Sequence, residues 1–167
     1  MPIRDTIAAD AAAIADIYNH YIEHTDVTFE ETAVTADDIK ARIDTTMEHK
    51  LPWLVYEEAG KIIGYAYASK WRARAAYRFS VEVTVYLHHQ QGGKGLGTQL
   101  YRQLFSELKA LGYHVAIGGI TLPNPASVAL HEKMGLSPVG TFNEVGFKFG
   151  RRLDVGYWQG VLSDLPH

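Results

Sequence analysis

The sequence predicts an α/β (α+β) fold in which a central mixed, twisted sheet carries helices on both faces. Three features of the chain support this prediction. Residues 80–87 alternate apolar and polar side chains, as a half-buried strand does. A glycine-rich loop and an amphipathic helix with leucines at helical spacing follow that strand directly. Along the whole chain, segments of helical and strand periodicity succeed one another in the order β-α-α-β-β-β-α-β-α-β-β.

The first third of the chain is predicted to form one short strand and two helices. Residues 3–5 have the pattern of a strand, and apolar residues recur along 9–24 at the spacing of an amphipathic helix. Thr35 and Asp38 have the spacing of a capping box, which predicts a second helix over about 36–49. The two helices and the polar link between them would form a wall beside a pocket.

The middle of the chain is predicted to contain a hairpin and the strand that leads into the glycine-rich loop. A short turn separates residues 53–57 from residues 62–69, so we expect these two strands to pair. Residues 70–78 then concentrate Arg and Lys around two aromatic side chains. The strand 80–87 would place its valines on one face and Glu82 on the other.

The last third is predicted to contain a buried strand, a short helix and a final pair of strands. These elements span residues 114–120, 126–134, 137–149 and 152–161. The segment TLPNP, residues 121–125, is expected to break regular structure between the buried strand and the helix. Gly135 is placed to end that helix.

Composition excludes several classes of protein. A chain of 167 residues is expected to form a single domain, 1–167, with a substantial core. The net charge of −3 argues against a nucleic-acid partner. The absence of cysteine excludes disulfides and a cysteine nucleophile, and it fits a reducing compartment. Neither a signal-peptide pattern nor a membrane-length apolar run is present, so a cytoplasmic protein without a membrane partner is expected.

The loop between the strand 80–87 and the following helix has the composition of an anion site. Residues 92–97 include four glycines, which let a phosphate approach the backbone closely. The first turn of a helix adds unpaired N–H groups and partial positive charge, and Lys94 adds a full charge. Residues 92–98 are therefore a candidate pyrophosphate cradle. The spacing fits neither a Walker A loop nor a dinucleotide fingerprint, and a merely flexible loop is the alternative.

Several of these motifs together resemble the GNAT N-acetyltransferase superfamily. In that superfamily a strand, a Q/R-x-x-G-x-G/A loop and a helix bind the pyrophosphate of acetyl-CoA, and a later Asn opens a helix. Here residues 85–98 are followed by Asn124 and by SVALHEKMGL. More narrowly, the chain looks like the phosphinothricin/methionine sulfoximine acetyltransferase group, on the segments IYNHYI, GYAYASKWR, VEVTVYL, GKGLGTQLY, ASVALHEKMGL and GFKFGRRLDVGYWQ. Gly92 departs from the pattern, because the superfamily usually has Arg or Gln there.

The resemblance implies a GNAT fold and acetyl-CoA as co-substrate. Backbone groups of residues 85–87 would pair with the pantetheine amides as an added strand does. Asn124 would bond the pantetheine arm or cap its helix, and Lys133 would pair with a CoA phosphate or with its helix C-terminus. The implied cofactor-binding residues are Val85, Tyr86, Leu87, Gly92, Gly93, Lys94, Gly95, Leu96, Gly97, Thr98, Asn124 and Lys133.

Acetyl transfer to an amine requires a base for the ammonium and stabilisation of the departing thiolate. Glu82 is the candidate base, because burial beside valines would raise its pKa. An exposed strand carboxylate, or a salt bridge to a nearby arginine, is the alternative. His131 is the candidate acid, at a position where many superfamily members have Tyr. A helix-surface histidine is the alternative for that residue.

The acceptor is expected to bind beside this base. Arg72 and Arg74 would clamp its carboxylate or phosphinate, since alternation along a strand would place both on one face. A solvated basic rim is the alternative. Phe29 and Glu30 are expected to line the acceptor pocket. The predicted substrate-binding residues are Phe29, Glu30, Arg72, Arg74, Glu82, Val83 and Thr84.

Eight histidines raise the question of a metal site. His88 and His89 are adjacent, so they would point apart on an extended chain. His20 and His24 have i, i+4 spacing but no obvious third ligand, and no HExxH motif is present. Surface histidines and no bound metal are therefore expected.

The sequence predicts an acetyl-CoA-dependent N-acetyltransferase for a small amino-acid-like amine: methionine sulfoximine, methionine sulfone or phosphinothricin. Direct attack within a ternary complex is expected. The alternatives are an acetyltransferase of protein N-termini or of another small amine, and a CoA-binding sensor without turnover. A homodimer is expected, with the C-terminal aromatic residues forming either its interface or the core. These are Phe147, Phe149, Tyr157 and Trp158.

Overall fold

The computed structural model describes residues 2–166, and this part of the chain contains seven strands and four α-helices. The helices are α1 (Ala11–His24), α2 (Ala36–Glu48), α3 (Leu96–Ala110) and α4 (Pro125–Lys133). The strands are β1 (Ile3–Asp5), β2 (Trp53–Glu58), β3 (Lys61–Lys70), β4 (Ser80–Leu87), β5 (Val115–Leu122), β6 (Ser137–Lys148) and β7 (Arg151–Val161). Their order confirms the prediction. The predicted break at Thr121 is wrong by two residues, because β5 stays paired with β7 as far as Leu122.

The seven strands form one sheet in the order β1-β2-β3-β4-β5-β7-β6. The sheet is mixed, as predicted: β4 and β5 pair in parallel, and the other neighbouring strands pair antiparallel. The parallel ladder is short and ends at the pair Glu82↔Ile117. Beyond that pair no residues of β4 and β5, both fully described, are paired with each other. The sheet therefore opens at its centre, directly after Glu82.

Helices cover both faces of the sheet and create two cores. On one face, Ile14 of α1 and Ile39 of α2 pack with Val55 and other residues of the sheet. On the other face, the leucines of α3 recur at i, i+4 spacing and are fully buried, as Leu100 and Leu104 show. None of the helices within residues 2–166 has the length and apolar character needed to cross a membrane.

Local sequence determines where three of the helices begin. Thr35 and Asp38 form the predicted capping box of α2, with Asp38 N donating to Thr35 Oγ1 at 3.0 Å. Asn124 Oδ1 accepts from Ser127 N at 3.2 Å, and Pro125 occupies the first turn of α4. Gly95 precedes α3 with φ 75°, a left-handed conformation that glycine adopts at low cost.

Candidate active site

A cavity of about 530 Å³ occupies the opening between β4 and β5. Residues 82–89 form one wall, and residues 119–121 and the first turns of α4 form the opposite one. The glycine-rich loop closes one end. The cavity brings together most of the predicted cofactor residues and both catalytic candidates: Val85, Tyr86, Leu87, Gly92, Gly93, Gly95, Leu96, Gly97, Thr98, Asn124, Glu82 and His131. Val83 and Thr84, predicted to bind substrate, also line it.

The glycines of the loop have two different roles. Gly93 has φ 78° and Gly95 has φ 75°, so both need the conformational freedom of glycine. A Cβ added at Gly92, Gly93 or Gly95 would meet no heavy atom within 4 Å, so the space in front of the loop is open. Gly97 instead allows close packing, because its Cβ would lie 3.0 Å from Leu130. Open space before a helix N-terminus suits a phosphate group.

The open edge of β4 provides the surface predicted to bind pantetheine. Strand pairing between β4 and β5 stops at Glu82, so Val85 lies beyond the parallel ladder. One backbone carbonyl on this edge already has a hydrogen-bond partner, because Tyr21 Oη of α1 donates to Leu87 O. Tyr21 also lines the cavity. Sequence analysis assigned this residue no role in the site.

Glu82 lies at the point where the sheet opens, and its side chain is half-buried. Burial raises the pKa of its carboxyl, and the positive charge of Arg72 opposes that rise. No residue in the described part of the chain forms a salt bridge with Glu82, so the predicted alternative of an ion pair is not formed. A partly desolvated carboxylate without a salt-bridge partner has the properties of a general base.

His131 is buried rather than exposed on its helix, with 4% of its surface accessible, so the surface alternative is wrong. Its ring packs against β5, where a Cβ at Gly118 would lie 2.7 Å from Cδ2. Nδ1 is 2.7 Å from Ser127 O, and Nε2 is 2.9 Å from Tyr101 Oη. A carbonyl oxygen only accepts, so Nδ1 carries the proton and Nε2 accepts from the Tyr101 hydroxyl. Burial lowers the pKa of His131, which favours this neutral form.

Tyr101 is a functional candidate that sequence analysis missed. It is fully buried on α3, lines the cavity and donates to His131. Burial and the negative charge of Glu82 raise its pKa well above the usual range. In the sequence, the only sign of this role was a tyrosine placed among the core leucines of α3. Its hydrogen-bond partner, His131, lies 30 residues away along the chain.

The predicted basic residues lie outside the cavity lining. β3 ends at Lys70, so Arg72 and Arg74 do not alternate on a strand, and the premise that put them on one face is wrong. The Arg72 guanidinium instead stacks 4.0 Å from the Trp71 ring centroid. Lys94 Nζ is 2.9 Å from Gln91 Oε1, and Lys133 lies at the end of α4.

Phe29 and Glu30 also lie outside the cavity lining. The Glu30 carboxylate receives two hydrogen bonds from Arg42, at 2.6 and 2.9 Å, and another from Tyr18. Phe29 packs against Gly146, where a Cβ would not fit. Arg42 borders a second, shallower depression beside Ser69, which is the cross-strand neighbour of Glu82.

Four of the eight histidines lie together at the surface. The rings of His88 and His89 stack at 4.5 Å, so the prediction that they point apart is wrong: β4 ends at Leu87 and the chain turns there. The His89 ring also stacks on that of His20. Among the described residues, no group of three potential ligands has a geometry that could hold a metal ion.

The fold and this cavity define an enzyme that holds a phosphate-bearing co-substrate beside a partly desolvated carboxylate. The chain belongs to the GNAT acetyltransferase family, since the sequence model of the Acetyltransferase (GNAT) domain matches residues 3–156.

Relatives of known name match nearly the whole chain. Phosphinothricin N-acetyltransferase of Streptomyces viridochromogenes is 42% identical over 157 residues, covering 94% of this chain and 85% of that protein. L-methionine sulfoximine/L-methionine sulfone acetyltransferase of Salmonella typhimurium is 39% identical, covering 98% and 96%. A phosphinothricin acetyltransferase of Sinorhizobium meliloti, crystallised with AcCoA, superposes with a TM-score of 0.92 at 38% identity, covering 96% of this chain and 89% of that one.

Proposed function

We propose that this protein transfers the acetyl group of acetyl-CoA to the amino group of a small amino-acid-like acceptor of the phosphinothricin and methionine sulfoximine or sulfone type. The observation that carries the proposal is the cavity that joins the glycine-rich loop to Glu82. Relatives about 40% identical over nearly all of the chain carry the names of these reactions, which supports the acceptor class.

The residues present fit acetyl-CoA. The open space before Gly92, Gly93 and Gly95 accommodates a pyrophosphate, and the unpaired part of β4 accommodates the pantetheine arm. Asn124 lines the same cavity while capping α4, so it serves its structural role and remains beside the pantetheine path. When bound, acetyl-CoA supplies an activated thioester carbon.

Glu82 would prepare the acceptor. An ammonium cannot attack, so the Glu82 carboxylate takes its proton, directly or through a water molecule, and leaves a neutral amine. Thr84 lies on the same face of β4 as Glu82, the face covered by α1 and α2. The positive charge of Arg72 opposes the rise in the Glu82 pKa, so Arg72 precedes Arg74 as a candidate for holding the acceptor carboxylate.

The departing thiolate would be stabilised by the Tyr101–His131 pair. The predicted acid role of His131 needs an imidazolium, which burial disfavours. The Tyr101 hydroxyl has one hydrogen, which it donates to His131 Nε2 in the free protein, so it would have to turn this hydrogen towards the leaving sulfur. It would then act as a hydrogen-bond donor and not as a full acid, because its pKa is raised, and His131 would position the hydroxyl before the reaction.

Substituting either Tyr101 or His131 should remove the same stabilisation of the departing thiolate. We expect Tyr101→Phe and His131→Gln each to lower kcat by about tenfold or more, and the double variant to be no slower than the slower single one. Steady-state kinetics at saturating acetyl-CoA measure this, with Tyr113→Phe as a control at a half-buried tyrosine outside the cavity lining. Effects that multiply in the double variant would show that the two residues act separately.

The acceptor is identified by thiol release from acetyl-CoA across a panel of amines. The panel includes methionine sulfoximine, methionine sulfone, phosphinothricin, common amino acids, polyamines and an N-terminal peptide. Turnover fastest on the first three supports the proposal, whereas turnover fastest on the peptide supports the alternative of a protein substrate. Tight acetyl-CoA binding with no turnover on any amine supports a sensor.

We also propose that the protein is a homodimer that pairs through β6. This strand lies at the edge of the sheet and exposes a row of apolar side chains, each 56–60% accessible. The row consists of Val139, Phe142, Val145 and Phe147 of β6 and of Phe149 in the turn that follows it. An exposed apolar edge strand is normally covered. Trp158 belongs to the core instead, with 6% exposed.

A charge in this row should therefore dissociate the dimer. We expect Phe147→Glu to convert the dimer to a monomer in sedimentation equilibrium at micromolar concentration. Leu111→Glu is the matched control, because Leu111 is equally exposed but lies after α3. A monomeric wild-type protein would contradict the proposal.

A single domain and a cytoplasmic location remain predictions from composition.

A further inference from the structure

Four histidines from two distant parts of the chain meet beside the cavity. His20 and His24 lie on α1, and His88 and His89 follow β4. The His20 and His89 rings stack at 3.9 Å with an interplanar angle of 10°. His88 stacks on His89 at 4.5 Å, and the centroids of His20 and His24 are 5.1 Å apart. We call these four residues the histidine cluster.

The histidine cluster forms part of the wall that leads to the glycine-rich loop. His88 and His89 both line the cavity, and Gly92 of the loop follows three residues after His89. The neighbouring Tyr21 of α1 lines it as well. An anion at the loop would therefore lie on the same side of the protein as these imidazoles.

Without an anion, the crowding of these rings opposes protonation of His20. Partial burial, followed by the charges of His89, His24 and His88, lowers the pKa of His20. The Glu23 carboxylate, 4.0 Å from His24 Nε2, opposes this effect. The other two neighbouring groups do not: Tyr21 is neutral at pH 7, and Lys94 adds further positive charge on the loop.

One ring nitrogen of the cluster has a defined hydrogen-bonding role. His88 Nδ1 accepts a hydrogen bond from Gln90 N at 3.2 Å, so a proton there would break that bond. The rings of His20 and His89 are stacked, so their charges would repel unless an anion compensates.

We propose that the histidine cluster takes up a proton when the phosphates of acetyl-CoA occupy the glycine-rich loop, and so couples co-substrate affinity to pH. This rests on the proposed use of acetyl-CoA. Nearby negative charge favours an imidazolium and offsets the repulsion between the rings. Coupling is reciprocal, so protonation of the cluster tightens acetyl-CoA binding by the same factor. Affinity should therefore rise as pH falls through the range in which histidine titrates.

Isothermal titration calorimetry of acetyl-CoA binding at pH 7 tests the proposal. The binding heat is measured in buffers of different ionisation enthalpy, and its slope against that enthalpy counts the protons taken up. We expect roughly half to one proton more for the wild type than for the His20→Gln/His89→Gln variant, because the bound phosphates would favour an imidazolium in the cluster. Any proton taken up by the ligand itself is common to both proteins and cancels.

Three further variants make the comparison specific. His49→Gln changes an exposed histidine at the end of α2 and should keep the wild-type proton number. Lys94→Met removes a positive charge from the loop and should weaken acetyl-CoA binding without abolishing the proton uptake, because the cluster itself is intact. His89→Gln alone, at an exposed position, provides the comparison if the double variant does not fold.

Equal proton numbers in the wild type and the cluster variants would overturn the proposal, as would acetyl-CoA affinity with the same pH dependence in both. If the wild-type protein did not bind acetyl-CoA, the proposed function would fail with it. Binding with unchanged proton uptake removes only the role of the cluster.

Discussion

Glu82→Gln is expected to lower kcat for amine acetylation by about 10²–10⁴-fold, the usual contribution of a general base. The carboxamide keeps the size of the side chain at the opening of the sheet but cannot take a proton from the ammonium. Acetyl-CoA affinity should change little, because the glycine-rich loop and the β4 edge beyond the ladder remain intact. Steady-state kinetics and a direct acetyl-CoA titration measure the two quantities separately.

The pH dependence gives this variant a second readout. Burial raises the pKa of Glu82, so the acid limb of the wild-type profile should lie above the usual carboxylate range. Activity then rises with pH as Glu82 loses its proton, and the variant should lack this limb. Glu58→Gln, an exposed carboxylate on β2, is the matched control. A variant that keeps both its rate and its acid limb would exclude Glu82 as the base.

The same raised pKa affects stability. A carboxyl whose pKa is higher in the folded than in the unfolded protein contributes most to folding stability below the pKa that it has in the unfolded protein. This contribution is lost as the pH rises through the pKa that it has in the folded protein. At neutral pH the charged Glu82 is therefore unfavourable for folding, and Glu82→Gln should unfold at a higher urea concentration than the wild type. Slower catalysis in a more stable protein is the combined result that separates loss of a base from damage to the fold.

Lys148→Met is expected to destabilise the protein by about 3 kcal/mol, because the change leaves two buried carbonyls without their donor. Lys148 is only 1% exposed, and its ammonium donates to Ile22 O and Thr28 O at 2.8 Å each. Burial lowers its pKa, and nearby acidic residues, Asp26 first, oppose that shift. The end of β6 thereby holds the C-terminus of α1 and the link to α2.

This contact should matter for the site as well as for stability. The link includes Val27, which lines the cavity, and Asp26, which pairs with Arg151 of β7. Urea unfolding gives the stability change, with Lys61→Met as the control at an exposed lysine on β3. An unfolding midpoint equal to that of the wild type would show that the buried ammonium does not stabilise the link.

Much of the fold could be predicted because its signals are local. The capping box of Thr35 and Asp38 and the cap of Asn124 involve residues three apart, so their spacing is visible in the sequence. The alternation of β4 likewise placed Glu82 opposite its valines. The glycine-rich loop was visible because the conformation at Gly93 and Gly95 requires that residue type. The sequence by itself therefore determined the order of elements and the position of the cavity wall.

Tertiary structure alone decided which side chains meet in the site. Tyr101 reaches His131 across 30 residues, and Lys148 reaches Thr28 across 120. The predicted strand through Arg72 failed because β3 ends at Lys70, and Trp71 N there bonds Ser80 O to close the turn into β4. Spacing along a chain specifies neighbours within one turn of a helix or one face of a strand. Contacts between elements depend on how the two cores pack, which no single segment encodes.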